Sequence, residues 1–253
     1  VCILGFIHPT LFPDDSVTLL VIDERMPTDM KQTLKEHGIE LAVVPQSKQL
    51  QPCVSAHPDM QLVHIRDNIL ISHPHLSPVL QEKLEGYGFT VIAGTTALKA
   101  EYPFDIAYNV AIIGKVAFHH LRYTDDVVAR YLKKCSIRTV HVNQGYAKCS
   151  ILPVTPESLI TSDPTIARAA AENGFDVLFL PPQTKIRLPG VNYGFIGGTG
   201  GFIDKDLIVF TGTLEALNDA EAVKAFLMKH GVRWHNLGNN ELYDYGGLLP
   251  LYI

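Results

Sequence analysis

One short pattern recurs five times along the chain: a helix, a tight break, then an apolar strand. It reads Leu34-Lys35-Glu36-His37-Gly38 before residues 39–44, and Leu84-Glu85-Gly86-Tyr87-Gly88 before 89–92. It returns as residues 132–136 before 137–142, as Ala171-Glu172-Asn173-Gly174 before 175–180, and as Leu227-Met228-Lys229-His230-Gly231 before 232–237. Four of the five breaks are Gly, the residue that suits the left-handed position ending a helix. A supersecondary unit repeated this way fixes architecture before any motif is read.

Every helix but the first is preceded by two apolar runs with a short polar turn between them, a hairpin signal. The turns are Arg66-Asp67-Asn68, Gly114-Lys115, Thr155-Pro156-Glu157 and Asp204-Lys205-Asp206. The strands expected around them are 60–65 with 69–72, 107–113 with 116–119, 149–154 with 158–161, and 193–203 with 207–211. The first unit shows only 17–22, a helix near 28–37 and 39–44. The C-terminal run 246–253 is the strand it lacks. The expected fold is therefore α/β: five ββαβ units in a pseudo-fivefold propeller, one domain over residues 1–253, closed by the C-terminal strand. A doubly wound nucleotide-binding sheet would need about one strand per helix; here there are about three. An open repeat array would leave the C-terminal strand without a role.

Composition narrows the function classes. A net charge of −5 and scattered basic residues give no field for nucleic acid or anionic lipid. No apolar run reaches the ~20 residues of a membrane span. Residues 1–12 are apolar but lack a basic leader and an Ala-rich cleavage site, so they do not read as a signal peptide. Cys2, Cys53, Cys135 and Cys149 show no paired spacing, which points to a reduced, cytoplasmic setting. His73 and His75 alternate, but no third ligand follows, so neither metal nor cofactor is expected.

In a ring of such units the first strand of each lies nearest the axis. The starts of those strands converge on one opening: His57-Pro58-Asp59-Met60, Tyr108-Asn109, Gly145-Tyr146-Ala147-Lys148-Cys149, residues 194–201, and Asp244-Tyr245-Gly246-Gly247. Convergent polar groups in a concavity form a binding-site hypothesis. These segments resemble those of the guanidino-group modifying enzymes: arginine deiminases, dimethylarginine dimethylaminohydrolases, agmatine deiminases and amidinotransferases. Residues 57–63 resemble that superfamily's Pro-Asp segment, in which the Asp holds the substrate guanidinium. Tyr108-Asn109-Val110 with Gly114 resembles its Glu-Gly-Gly-Asp segment, Tyr146-Ala147-Lys148-Cys149 its His-Leu-Lys segment, and residues 244–250 its Gly-rich nucleophile segment. The whole chain is most similar to a bacterial branch. The resemblance implies hydrolase, deiminase or amidinotransferase chemistry, in which a Cys attacks the guanidinium carbon while a His moves protons. The sequence departs at three places. The His position is Tyr146, the Cys position falls at Leu248 or Leu249, and the acidic pair is Tyr108-Asn109.

Asp59 is a candidate guanidinium partner, or a turn-forming Asp. His57, two residues earlier, projects the same way if the segment is extended. It is the candidate proton carrier, or a solvent-facing loop His. Cys149 is the thiol placed at the opening, either nucleophile or small buried hydrophobe. Asn109, Tyr146, Lys148, Gly198 and Asp244 complete the candidate ligand-binding set. The Gly197-Gly198-Thr199-Gly200-Gly201 stretch reads as an anion cradle or as a tight approach to the axis. Two functions stay open: an enzyme acting on a small guanidinium- or amide-bearing substrate, with Cys149 and His57 catalytic, and a non-catalytic ligand-binding or structural protein on the same fold. A small-molecule ligand and self-association into homo-oligomers are the expected partnerships.

Overall fold

The computed structural model describes residues 5–253. The first unit comprises β1 (Leu19–Asp23), α1 (Thr28–Glu36) and β2 (Glu40–Val44). The single-turn helix α2 (Pro58–Gln61) leads into the second, β3 (Leu62–Arg66), β4 (Ile69–Ser72), α3 (Pro78–Gly86) and β5 (Thr90–Ala93). The third is β6 (Ala111–Ile113), β7 (Val116–His119), α4 (Asp126–Lys134) and β8 (Arg138–His141). The fourth is β9 (Ile151–Thr155), β10 (Ser158–Thr161), α5 (Pro164–Glu172) and β11 (Asp176–Phe179). The fifth is β12 (Gly200–Asp204), β13 (Leu207–Phe210), α6 (Ala220–Lys229) and β14 (Arg233–Asn236), and β15 (Leu249–Tyr252) ends the chain.

Among the described residues each unit forms its own three-stranded sheet. The middle strand runs antiparallel to the first and parallel to the third, as in β4, where Leu70 faces His64 on β3 and Val91 on β5. The expected missing strand is present: β15 lies antiparallel to β1, with Leu20 opposite Pro250 and Val21 opposite Leu249. The first and last strands therefore meet in one sheet. The five sheets stay separate, and no continuous closed sheet runs through the described residues. First and middle strands are buried along their length, whereas β5, β8, β11 and β14 are partly exposed edges. That is why inner strands read as unbroken apolar runs and outer ones do not. Each helix shares a core with its own sheet: Leu34 with Leu20 and Ile22, Val128 and Leu132 with Ile112 and Ala117, Val223 and Leu227 with Ile208 and Phe210.

All five long-helix exits use one geometry. The N–H of Ile39, Phe89, Ile137, Phe175 and Val232 reaches back to the carbonyl of Leu34, Leu84, Leu132, Ala170 and Leu227. This closes a Schellman-type cap and launches the parallel strand. The left-handed residue is glycine in four cases; in the third unit it is the exposed Ser136, at φ 55°. A Cβ in that region costs roughly 1–2 kcal/mol, against about 0.5–1 kcal/mol for the extra chain entropy of glycine. Ser136→Gly is expected to stabilise the protein by about 0.5–1 kcal/mol. A urea midpoint that falls would contradict this.

The structure corrects the expected starts of the inner strands. Residues 58–61, 107–110, 145–150 and 193–199 turn or coil before the ladder begins. In the second unit the cause is Pro58, whose fixed φ opens a helical turn at its first position; the Met60 N–H then bonds the His57 carbonyl at 3.2 Å. His57 and Asp59 thus belong to a helical turn, not to an extended segment.

Candidate functional site

These turns bring the candidate residues to the middle of the molecule. A cavity of about 300 Å³ is floored by His57, Cys149 and Asp244 and walled by Tyr146, Val54, Leu188 and Phe195. A narrow cleft of about 20 Å³ is lined by Asp59, Lys148, Gly246 and Gly247. The Cys149 thiol donates to Asp59 Oδ2 at 3.0 Å, so this pair stands between the two spaces. Asp59 was expected to line the central opening. It lines the cleft, together with Lys148 and Gly246-Gly247 of the same converging segments, and not the larger cavity. Lys148 and Cys149 take different spaces, as neighbours in sequence with opposed side chains do.

Asn109 organises the centre. Its Oδ1 accepts the N–H of Lys148 at 2.8 Å and of Cys149 at 3.4 Å. That fixes the amide so that Nδ2 points at Cys149 Sγ, 3.2 Å away, and at the Asp59 carbonyl, 3.2 Å away. Its neighbour Tyr108 turns away, donating to Thr96 O at 2.9 Å and Asp125 Oδ2 at 3.3 Å.

Asp244 is fully buried and accepts the N–H of Phe195 at 2.8 Å and of Gly246 at 3.0 Å. A Cβ on Gly198 would overlap its carboxylate, and one on Gly246 would overlap His57. The glycine-rich stretch is therefore a tight approach whose neighbouring anion is the protein's own Asp244. Tyr146, at the position of the expected His, donates its hydroxyl to Asp105 Oδ2 at 2.6 Å. Burial, then that bond, push its phenol well above the usual range.

Burial governs the charges. It holds His57 neutral, its pKa lowered to about 3, with the charge of Arg25 adding to the effect. It raises Asp59 to about 7, opposed by Lys148 and the Cys149 thiol. It raises Asp244 to about 6, opposed by the Phe195 and Gly246 N–H groups. Cys149 is pushed well above the ordinary thiol range by burial and by the Asp59 and Asp244 carboxylates. Neither ring nitrogen of His57 has a hydrogen-bond partner among the described residues, nor has Asp59 Oδ1. His57 Nδ1 lies 3.9 Å from Asp244 Oδ1.

Several lining residues escaped the sequence reading. Cys53, set aside there, lines the cavity. Its loop is latched by Arg25, which binds Asp23 through Nε and Nη2 and donates to Pro52 O at 2.6 Å and Cys53 O at 3.0 Å. Residues 188–195, part of which was assigned to a strand, supply Leu188, Val191, Asn192, Tyr193 and Phe195. Pro181-Pro182 and Pro189-Gly190 were the available signals of an irregular segment. His73 bonds Gln61 and His119 bonds Thr124 and the Ile106 carbonyl; neither lines the cavity. Cys2 lies outside the described residues.

No helix among the described residues is long and apolar enough to cross a membrane. No curated protein matches the sequence significantly. Several solved structures share the architecture. An inosamine-phosphate amidinotransferase from Streptomyces griseus superposes with TM-score 0.62 at 12% identity, over 98% of this chain and 96% of that one. An agmatine deiminase from C. jejuni gives 0.57 at 10% identity, over 93% and 90%. DDAH from Pseudomonas aeruginosa, complexed with citrulline, gives 0.55 at 8% identity, over 87% and 92%. The profile of a family described as being of unknown function, DUF6873, matches residues 21–249. The chain belongs to that family, and its fold is the pentein fold of the guanidino-group modifying enzymes.

Proposed function

We propose that the cavity binds a small molecule bearing a planar guanidino, amidino, ureido or amide head and an apolar body, and that the thiol-displacement chemistry of the guanidino-modifying enzymes is not run here. The carrying observation is Asp244, a buried carboxylate held by two backbone N–H groups, on the cavity floor beside the unpartnered, neutral His57. A planar N–H donor head suits that carboxylate, and His57 offers a second acceptor. Val54, Leu188, Val191 and Phe195 supply the apolar wall. The neighbours named for amidino transfer, for agmatine deimination and for a citrulline complex support the head-group class. Against a nucleophilic role, the Cys149 thiol spends its proton on Asp59 and sits among carboxylates, which favour thiol over thiolate.

Calorimetry with arginine, agmatine and citrulline tests the reading. At least one is expected to bind, and Asp244→Asn to weaken it by about 1.5–3 kcal/mol, the value of a hydrogen bond to a charged group. Iodoacetamide is expected to label Cys149 only slowly in the native protein. Absence of binding by all three compounds would remove the head-group assignment. Fast labelling that depends on His57 would favour the second reading, in which Cys149 is a nucleophile served by His57; the proximity of those two groups is what speaks for it.

A further inference from the structure

The centre holds one group of side chains whose chemistry the ligand-binding role does not absorb. One donor atom from each of His57, Asp59 and Cys149 lies within 4.8 Å of the other two, and all three residues are buried. We infer that these three side chains form a binding site for a single divalent transition-metal ion, zinc by the character of the donor set. Spacing along the chain does not announce this group, because its ligands come from two units and meet only in the fold.

Four observations carry the assignment. First, an imidazole nitrogen, a carboxylate oxygen and a sulfur are the donors zinc takes, at about 2.0–2.3 Å each. Cys149 Sγ and Asp59 Oδ2 already stand 3.0 Å apart. Second, both nitrogens of His57 and Oδ1 of Asp59 have no partner among the described residues. A buried polar group left without a partner is destabilising; an ion between them satisfies one ring nitrogen and the carboxylate together. Third, one outer partner is in place and a second stands close by. Asn109 Nδ2 donates to Cys149 Sγ at 3.2 Å, with its own orientation fixed by two backbone N–H groups. Asp244 Oδ1 stands 3.9 Å from His57 Nδ1. Donors to the sulfur and a carboxylate behind the imidazole are the usual supports of metal ligands. Fourth, charge balances. Binding releases the Cys149 proton, so a divalent ion, one thiolate and one carboxylate sum to zero, while Lys148 offsets Asp244.

Cys149 and His57 line the cavity, so three protein ligands leave an open coordination position on the side a ligand would enter. An ion there selects heads with a carbonyl oxygen, amide or ureido, over cations; that clause rests on the proposed binding role of the cavity, while the ion itself does not.

The experiment uses the untagged protein, stripped with chelator and titrated with Co²⁺ alone and with Zn²⁺ alone. One equivalent of either is expected to be retained. Co²⁺ should show a thiolate-to-metal charge-transfer band that Zn²⁺ abolishes. The band should survive Cys53→Ser and vanish in Cys149→Ser, and Asn109→Ala should weaken binding by roughly 10–100-fold. Bound Zn²⁺ should also protect Cys149 of the unaltered protein from alkylation in urea concentrations that open the site. That readout is independent of whether the variants fold. No charge-transfer band in the unaltered protein, or a band lost with Cys53→Ser, overturns the site. Metal binding without any guanidino or ureido affinity would leave the site standing and remove the ligand assignment instead.

Discussion

Truncation after Tyr243 is expected to abolish cooperative folding. The lost segment contains β15, the strand that completes the first sheet. Leu248, Leu249 and Leu251 are all buried, and each contributes about 1.5–3 kcal/mol. Together they approach the whole stability of an ordinary domain, about 5–15 kcal/mol. The loss extends beyond area. The Thr18 N–H bonds Tyr252 O at 2.8 Å, the Ile7 N–H bonds Leu251 O at 3.2 Å, and Ile253 N–H bonds Gly5 O at 2.8 Å. Without β15 the buried strand β1 becomes a bare edge. Calorimetry of the truncated chain should show no unfolding peak; a transition at the temperature of the intact protein would refute the closure of the first sheet by its C-terminal strand.

Asp125→Ala is expected to cost about 3–5 kcal/mol, in the upper range for single substitutions. Asp125 is fully buried and serves two units' worth of backbone. Its Oδ1 caps α4 through the N–H of Val127 at 2.8 Å and Val128 at 3.3 Å. Its Oδ2 accepts the Thr95 N–H at 2.8 Å, the Thr95 hydroxyl at 3.0 Å, the Thr96 N–H at 2.7 Å and the Tyr108 hydroxyl at 3.3 Å. Alanine removes every acceptor and leaves the Val127, Val128 and Tyr108 donors buried without partners, with those of Thr95 and Thr96 nearer the surface. Burial opposes ionisation here, yet the bonds from Thr96, Thr95 and Val128 outweigh it and hold the carboxyl below its ordinary value. A depressed folded-state pKa means the stabilisation is present above the unfolded carboxylate value, about 3.9, and is lost as pH falls through the lower folded value. The gap between parent and variant should therefore be largest near neutrality and narrow in acid. Urea unfolding at both conditions measures it; a neutral-pH cost under about 1 kcal/mol would show that the network is not a stabilising one.

The architecture was legible because its signals are local. Gly38, Gly88, Gly174 and Gly231 announce helix exits through backbone conformation alone, and even Ser136 sits where the pattern requires it. The strand missing from the first unit was found at the far end of the chain by elimination, which needs only counting. The site was legible in part. His57, Cys149 and Asp244 reach one cavity because equivalent positions of repeated units converge. The division of the opening into a cavity and a narrow cleft was not legible: a single proline converts an extended segment into a helical turn, and Asp59 lines the cleft while His57 lines the cavity. Cys53 and the 188–195 wall were missed for a different reason. Their positions follow from long-range latches such as the bonds of Arg25 to the Pro52 and Cys53 carbonyls, and irregular chain carries no periodicity that reports its destination.

The pairing of β1 with β15 also sets the order in which the molecule can assemble. Leu20 meets Pro250 across about 230 residues of intervening chain, and closing a loop of that length costs about 5 kcal/mol of configurational entropy. The β3–β4, β6–β7, β9–β10 and β12–β13 hairpins close over a few residues. Each of those sheets can form from its own stretch of sequence. The first sheet cannot, because one of its three strands is delivered only after every other unit has been made.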